Sequence, residues 1–193
     1  MSRNNSRTRI LDAALALIAK SGKAGVTMAE IGKAARVSRQ AVYLNFADRA
    51  DLLLALVRHV DEKRGLTEEL KKIANAPTAL EAVREAVALQ ARMNPGVWAI
   101  ARALDAVRRN DDAVEKGWQD RLKARLEGCR QIADRLMRER MLRDDWTVVA
   151  AADLLWTVTS LRTWEDLVLQ RRWTAAQYEE RIYRLLTDTL VNH

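Results

Sequence analysis

The chain has 193 residues, with 33 Lys and Arg against 26 Asp and Glu, and therefore a net charge of +7. This length accommodates a small domain and a larger one, each with a buried core. The single cysteine, Cys129, excludes an intrachain disulfide, and a buried structural thiol is a better interpretation than a redox sensor. The sequence contains no apolar run of about 18 residues and no signal-peptide core, so we expect a cytoplasmic protein without a membrane span.

The positive charge is concentrated in the first third of the chain. Residues 1–64 contain 12 Lys and Arg against 6 Asp and Glu, whereas residues 65–193 contain 21 against 20. A phosphate-binding surface has this kind of asymmetry. The polar start of the chain includes Arg3, Arg7 and Arg9, which predicts a flexible basic arm over residues 1–7 that reaches DNA, or else a disordered tail.

Residues 27–46, TMAEIGKAARVSRQAVYLNF, predict two short helices joined by a tight turn. Thr27 and Glu30 have the spacing of a capping box, and Ser38 is an N-cap for the second helix. Gly32 is costly inside a helix but allows a neighbouring element to approach closely. Such a helix-turn-helix places its second helix in the major groove of DNA.

The second helix is expected to direct its polar side chains outward. Arg39 has the geometry to read guanine O6 and N7, and Gln40 can read adenine. The alternative, an ordinary helical hairpin with two good caps, leaves this outward chemistry unexplained. The other candidate DNA contacts bind phosphate oxygens and set the register, and they are Thr27, Lys33, Arg36, Ser38, Tyr43, Asn45 and Arg49.

The segment from about Thr8 to Leu56 resembles the DNA-binding domain of TetR-type transcriptional regulators. The matching parts are RILDAALALIAKSG, VTMAEIGKAARVSRQAVYLNF with its S-R-x-x-x-Y-x-x-F pattern, and DRADLLLALV. The sequence departs from the family at Asn45, where His or Tyr is frequent, and at Arg49, where Lys is frequent. Both replacements can contact phosphate, so they concern which DNA sequence is preferred and not whether DNA is bound. The apolar Leu44 replaces a residue that is often aromatic.

The remaining sequence predicts further helices, and the whole chain an all-α fold of about nine helices. Gly and Pro are scarce, with 7 and 2 copies, and no segment alternates like a strand. Asp48 is expected to cap a fourth helix that ends near Arg64. Pro77 and Thr78 open a fifth helix, which should end near Asn94 because Pro95 and Gly96 follow. A sixth helix then covers about 97–109.

Three more helical segments are expected toward the C-terminus. The run from about 111 to 141 is long for one helix, and Gly117 or Gly128 is a candidate interruption. A helix of about 25 residues should follow Asp145, which is longer than most globular helices. The last helix should begin at Thr174.

The resemblance divides the chain into a DNA-binding domain at 1–50 and a ligand-binding and dimerisation domain at 51–193. It also implies that the last two helices pair with their copies in a four-helix interface of a homodimer, so the DNA site should be an inverted repeat. Intrachain core is the alternative role for these side chains. The candidate interface residues are Leu154, Leu155, Val158, Leu161, Tyr178, Ile182, Leu185 and Leu186.

The resemblance further implies an effector pocket between about residues 52 and 170, coupled to the helix-turn-helix by the fourth helix. Aromatic, Met and Arg side chains suit an apolar ligand with an acidic group. Ordinary core packing, or for Arg102 a surface position beside Asp105, is the competing interpretation. The candidate ligand residues are Met93, Trp98, Arg102, Trp118 and Met137.

Enzymatic activity is one competing class. The two histidines, His59 and His193, are far apart in the chain, and there is no Gly-rich phosphate loop, so we expect no catalytic residues, no cofactor and no metal site. Repression by a DNA-bound dimer is the outcome that the family resemblance implies. A second competitor is a helical small-molecule-binding or protein-interaction module without specific DNA binding.

Overall fold

The computed structural model describes residues 3–21 and 26–192, which are almost entirely helical. These residues form ten α-helices and one π-helical segment, Glu165–Gln170, so the all-α prediction is confirmed and the count is close to the predicted nine. Within them, Leu142 and Val191 form an isolated antiparallel bridge. The α-helices are α1 Arg3–Ser21, α2 Met28–Ala35, α3 Arg39–Asn45, α4 Arg49–Lys63, α5 Leu66–Ala74, α6 Ala79–Arg108, α7 Asp112–Arg138, α8 Val148–Val158, α9 Leu161–Trp164 and α10 Ala175–Leu190.

The N-terminus differs from the flexible basic arm that we expected at residues 1–7. Residues 3–7 form the first turns of α1, while Met1 and Ser2 lie outside the described residues. Arg7 Nη1 donates to the carbonyl of Asn45 at 2.6 Å, and Arg9 Nη2 donates to the carbonyl of Ala35 at 2.6 Å. These bonds to backbone oxygens hold the beginning of α1 against the helix-turn-helix. Gly22, the last residue of the matching part RILDAALALIAKSG, also lies outside the described residues.

The described residues pack into two compact units. The first comprises those up to Arg64 together with Gly96–Asp120, and the second comprises Gly65–Pro95 together with those from Arg121 onward. Helices α6 and α7 each supply residues to both units. The division into a DNA-binding domain at 1–50 and a second domain at 51–193 remains a prediction. It follows the family resemblance, whereas the two units are defined by packing.

The core of the first unit includes the inner sides of α1 and α4. The side chains of Ile10 and Ile18 in α1 are buried, as are four apolar side chains of α4. Those α4 residues are Leu52, Leu53, Leu56 and Val60. As predicted, Asp48 caps α4, by accepting from the Asp51 amide at 2.8 Å. This packing gives the short helices α2 and α3 a fixed support.

A polar cluster also joins α1 to α4. The carboxylate oxygen Oδ1 of Asp12 lies 2.8 Å from His59 Nε2 and 2.6 Å from Lys63 Nζ. Burial by itself would raise the pKa of Asp12, but the hydrogen bonds from Lys63 and His59 outweigh it and lower that pKa. The cluster therefore favours the ionised carboxylate and adds a polar fastening to the apolar contact.

The predicted helix end near Asn94 is wrong, because α6 continues through Pro95 and Gly96. A proline removes one helical hydrogen bond and disfavours the turn before it. The neighbouring apolar side chains Met93 and Val97 are nevertheless buried, and this burial overrides the local preference. Gly96 instead makes room for the Arg64 side chain, whose guanidinium a Cβ at this position would strike.

The helix interruption expected at Gly117 or Gly128 is absent from the structure. Helix α7 runs through Gly117 and Gly128 without interruption. A Cβ at Gly117 would lie 2.6 Å from Leu54 Cδ2, so this glycine serves close packing in the first unit.

The helix of about 25 residues predicted after Asp145 is divided in the structure. Helix α8 ends at Val158, and Ser160 caps a new helix by accepting from the Thr163 amide at 3.1 Å. Thr157 and Thr159 donate their hydroxyls to carbonyls of α8, at 2.8 and 2.6 Å. Hydroxyl side chains that bond the backbone in this way compete with helix propagation. The last helix begins after Thr174, as predicted, with a complete capping box.

The structure also contains α5, Leu66–Ala74, which we did not predict. Gly65 precedes it with a φ of 68°, a left-handed conformation that favours glycine. None of the helices in the described ranges combines the length and apolar character needed to cross a membrane.

Two glycine substitutions should shift stability in opposite directions. Gly65→Ala forces a side chain into the left-handed region, and we expect a loss of about 1 kcal/mol. Gly128→Ala adds a methyl within α7, where a Cβ would meet nothing within 4 Å, and should gain about 0.5–1 kcal/mol. Urea unfolding followed by circular dichroism measures both, and a common sign for the two changes would contradict this account.

Candidate nucleic-acid interface

The first helix of the helix-turn-helix, α2, begins with the predicted capping box. Thr27 Oγ1 accepts from the Glu30 amide at 3.2 Å, while the Glu30 carboxylate accepts from the Thr27 amide at 2.7 Å. The Thr27 backbone N–H and then its hydroxyl lower the pKa of Glu30. The helix ends at Arg36, whose left-handed backbone, with a φ of 55°, turns the chain toward α3.

Helices α2 and α3 approach closely at Gly32. A Cβ on this residue would lie 3.2 Å from Val42 Cγ2 and 3.3 Å from the Val37 carbonyl oxygen. Any side chain larger than hydrogen would therefore push α3 away from α2. The sequence-based interpretation of Gly32 as a site of close approach agrees with this geometry.

Helix α3, Arg39–Asn45, has a capped start and an anchored end. Ser38 Oγ accepts from the Ala41 amide at 3.1 Å, as predicted for an N-cap. Val42 and Phe46 are buried on the inner side, with exposed fractions of 0% and 1%. The guanidinium of Arg7 covers the Phe46 ring at 4.3 Å from its centroid. One face of α3 is therefore held by core contacts, and the other faces solvent.

The structure brings the candidate DNA contacts together on consecutive elements of the first unit. Most of them are exposed, while Asn45 and Arg49 are half-buried. The Arg39 guanidinium lies 5.6 Å from the centroid of the Tyr43 ring, so these two outward side chains form a cation–π contact. The exposed members of the predicted set are Thr27, Lys33, Arg36, Ser38, Arg39, Gln40 and Tyr43.

Two of the predicted phosphate contacts already bind within the protein. The Thr27 hydroxyl donates to the Glu30 carboxylate at 2.7 Å, so its hydrogen would have to leave that bond to reach a phosphate. The Asn45 amide donates to the Ala41 carbonyl of its own helix at 2.8 Å. Ser38 differs from both, because its oxygen accepts from the Ala41 amide and leaves its hydrogen to donate.

Sequence reasoning did not identify three residues that shape this interface. Arg7 and Arg9 were assigned to a flexible arm, yet both donate to backbone carbonyls of the helix-turn-helix. Leu44 is 67% exposed beside Tyr43, although it is a large apolar side chain. Such a group on a recognition helix suits contact with a thymine methyl. The signal available in the sequence was spacing: Val42 and Phe46 are four positions apart and share the inner side, whereas Leu44 lies midway between them.

The ligand candidates of the first unit differ in exposure and in their partners. Arg102 is exposed, in agreement with the surface interpretation. Trp118 is half-buried, and its ring is covered by the Arg108 guanidinium at 5.6 Å from the centroid. Trp98 is half-buried, and its indole N–H has no hydrogen-bond partner among the described residues.

The ligand candidates of the second unit do not line its cavity. Met93 is buried in the core, and Met137 is 46% exposed. The second unit contains a cavity of about 640 Å³, lined by side chains of α5, α6 and α7 together with Thr159. None of the five candidates lines this cavity. The burial of Met93 matches the core packing that we weighed as the alternative.

The candidate dimer residues divide into two groups. Four of them are buried within the single chain and belong to its core, so we propose no interface role for them. They are Leu155, Tyr178, Ile182 and Leu186. The side chains that remain available are partly or largely exposed. They are Leu154, Val158 and Leu161, which are half-buried, and Leu185, which is 50% exposed.

Replacement of Arg7 should loosen α3 without removing a side chain from its outer face. Arg7→Met deletes the bond to the Asn45 carbonyl and the stacking on Phe46, and we expect a loss of about 1–2 kcal/mol in local stability, since the bond is only part-buried. Lys20→Met removes an equal charge from the exposed side of the same helix and is the control. Hydrogen exchange of the α3 amides should accelerate in the first variant alone.

Known proteins resemble this chain both in its N-terminal segment and over most of its length. The family model of bacterial regulatory proteins of the tetR family matches residues 10–56. The chain is 28% identical over 158 residues to the nucleoid occlusion factor SlmA of Alteromonas mediterranea, covering 78% of this chain and 75% of that protein.

Solved structures share the fold over nearly the full length. FadR of Bacillus subtilis, solved in complex with stearoyl-CoA, superposes with a TM-score of 0.74 at 20% identity, covering 93% of this chain and 96% of that one. NalD of Pseudomonas aeruginosa, the secondary repressor of the MexAB-OprM multidrug efflux pump, gives a TM-score of 0.70 at 21% identity, covering 100% and 98%. The matched segment, residues 10–56, contains the α2–α3 helix-turn-helix, so this part of the chain matches the tetR family of bacterial regulatory proteins, while the full chain shares the fold of the solved structures.

Proposed function

We propose that this regulator represses transcription as a homodimer on an inverted-repeat operator and that a small-molecule effector changes its affinity for DNA. The observation that carries the proposal is the outer face of α3, where Arg39, Gln40 and Tyr43 are exposed while Val42 is fully buried. A short helix with a buried inner face and a polar, cationic outer face suits the major groove.

The side chains of this interface divide into two kinds of contact. Arg39 donates to guanine and Gln40 pairs with adenine, so these two residues read the sequence. Leu44 adds an apolar contact to a thymine methyl. The cations Lys33, Arg36 and Arg49, together with Ser38 and Tyr43, bind phosphates and fix the position of the protein on the duplex.

The cation–π contact of Arg39 with Tyr43 supports the reading role. This contact restricts the guanidinium at an exposed site with a modest stabilisation of about 0.5–1 kcal/mol. A restricted donor loses less conformational entropy when it binds a base than a freely rotating one. Tyr43 would then serve both as a phosphate contact and as a support for Arg39.

The dimer supplies the second recognition helix. Two copies of α3 reach successive major grooves when they are about 34–36 Å apart, and a two-fold axis makes the operator an inverted repeat. Helices α8 and α10 offer the remaining apolar surface, with Leu154, Val158 and Leu185 at least partly exposed. A regulator of this kind acts on chromosomal DNA in the cytoplasm and needs no catalytic residues, cofactor or metal.

The effector hypothesis is supported by the cavity in the second unit and by the relatives. The cavity, about 640 Å³, is within the range of small-molecule sites. FadR of Bacillus subtilis has been solved with stearoyl-CoA bound, which shows that a protein of this fold accommodates a small molecule. An effector shifts DNA affinity only if it binds one conformation better than the other, and this coupling is reciprocal.

The first test is a set of binding curves on the upstream DNA of the regulator's own gene and on an unrelated fragment, at low and moderate salt. Arg39→Ala should lower specific affinity by about 1–3 kcal/mol and relax the preference at one base pair. Lys33→Ala should weaken binding to both fragments and reduce the salt slope by about one.

Three results would contradict these assignments. Weak binding to both fragments that moderate salt abolishes would favour a helical module without specific DNA binding. Equal loss on every sequence for Arg39→Ala would make Arg39 a phosphate contact. An unchanged salt slope for Lys33→Ala would remove Lys33 from the interface.

The dimer proposal predicts a separable effect at α10. Leu185→Glu places a charge on a 50% exposed side chain and should convert the dimer to a monomer, because a charge in an apolar interface is not paired. Operator affinity should then fall by roughly 100-fold, as the two half-sites are no longer bound together. Met137→Glu, at a similarly exposed position on α7, is the control. Sedimentation measures the mass, and a dimeric Leu185→Glu protein would exclude this residue from the interface.

A further inference from the structure

The cavity of the second unit is mainly apolar but has cationic side chains in its wall. Its apolar lining comes from α5, α6 and α7 and includes Leu70, Ile73, Leu89 and Ile132. Three arginines, Arg125, Arg135 and Arg138, also line it. A ligand with an apolar part and one polar group would suit this lining. Which polar group it carries depends on whether each arginine already has a partner within the protein.

Two of the three arginines already have a carboxylate partner. Arg135 Nε lies 2.7 Å from the Glu139 carboxylate, and its Nη2 donates to the Pro77 carbonyl at 2.9 Å. Arg138 Nε lies 2.9 Å from the Asp134 carboxylate. Their charges are balanced within the protein, and a ligand gains little from either.

Arg125 has only neutral partners. Its Nη2 donates to the Trp156 carbonyl at 2.6 Å and its Nη1 to Thr159 Oγ1 at 3.2 Å, while the guanidinium lies 4.6 Å from the centroid of the Trp156 ring. No carboxylate among the described residues forms an ion pair with it. Two of its five N–H donors are used, so donors remain for a further acceptor.

The groups around Arg125 do not neutralise its charge. Burial lowers the pKa of Arg125, because it disfavours the charged form of the guanidinium. Burial also raises the pKa of Cys129 to about 11 and raises that of Tyr178, so both remain neutral at physiological pH. The Tyr178 hydroxyl is buried without a hydrogen-bond partner among the described residues. A half-buried cation without a counter-ion is costly, and an anion supplied from outside would compensate for it.

We propose that this cavity binds an amphipathic monoanion, an apolar chain or ring with a carboxylate, and that the carboxylate pairs with Arg125. The pairing uses charge-assisted hydrogen bonds in a partly desolvated site, where they are strongest. The Thr159 hydroxyl lies beside the same guanidinium and lines the cavity. Glu127 also lines it, but lies 3.9 Å from Arg130 with an exposed side chain. The class of ligand follows from the cavity itself. Only the role of this molecule as the effector rests on the proposed function.

Three probes of equal chain length and different head group test the proposal. Calorimetry with the full-length protein would compare dodecanoate, dodecanol and dodecyltrimethylammonium, each below its micellar concentration. Dodecanoate should bind about 10–100-fold more tightly than dodecanol, because only the carboxylate pairs with the guanidinium. The cationic probe should bind more weakly than the alcohol. Equal binding of dodecanoate and dodecanol by the wild-type protein would overturn the proposal without any variant.

Matched arginine variants locate the head group. Arg125→Met should abolish the preference for dodecanoate over dodecanol while binding of the alcohol remains. Arg135→Met removes an equally long side chain from the same wall and should retain the preference, because Arg135 is already paired with Glu139. A preference that survives Arg125→Met, or disappears in Arg135→Met alone, would assign the carboxylate to another residue and overturn the proposal.

The single cysteine provides an independent readout of occupancy. Cys129 is buried and lines the cavity, so its alkylation by N-ethylmaleimide reports on the cavity alone. Dodecanoate should slow alkylation in the wild-type and Arg135→Met proteins at concentrations that leave Arg125→Met unprotected. Protection by all three probes at equal concentration would show an apolar site without anion selectivity and would overturn the proposal.

DNA binding is measured separately so that the two proposals can fail independently. Selective dodecanoate binding without a change in operator affinity would retain the ligand class and remove the effector role. Operator binding with no head-group selectivity would retain the regulator and overturn the ligand class.

Discussion

The stability of α3 depends on what lies behind it, because a helix of seven residues is not stable in water by itself. Gly32 allows α2 to approach Val42, and Arg7 donates to the end of α3 while it covers Phe46. The buried faces of α1 and α4 support these contacts in turn. The side chains that we propose to read DNA can therefore be exposed and polar, since none of them is needed to keep the helix in place.

Arginine has opposite roles in the two compact units. In the first, Arg39 is exposed at low energetic cost, and its charge is available to a negatively charged partner. In the second, Arg125 is half-buried and has neutral partners only, so under our proposal an anion would stabilise its site. In the proposed roles, the same residue type reads DNA where water screens its charge and selects a ligand where water is partly excluded.

Local signals in the sequence predicted helix starts better than helix ends. The caps at Thr27, Ser38 and Thr174 were identified because a hydroxyl oxygen satisfies amides only a few residues away. The predicted end before Pro95 failed, since burial of the surrounding apolar face outweighs one lost hydrogen bond. The end of α8 at Val158 was missed because several weak hydroxyl bonds to the backbone, each unremarkable alone, act together there.

The sequence by itself determined the all-α class, the helix-turn-helix and the outward residues of α3, because these follow from periodicity and contacts over three or four positions. Only the tertiary structure decided that Arg7 holds α3, that Tyr178 belongs to the core and that Arg125 lines a cavity without a counter-ion. Those properties depend on which distant segments meet. The charge state and partners of a side chain are set by neighbours that are tens of residues away in the chain, and helical spacing carries no information about them.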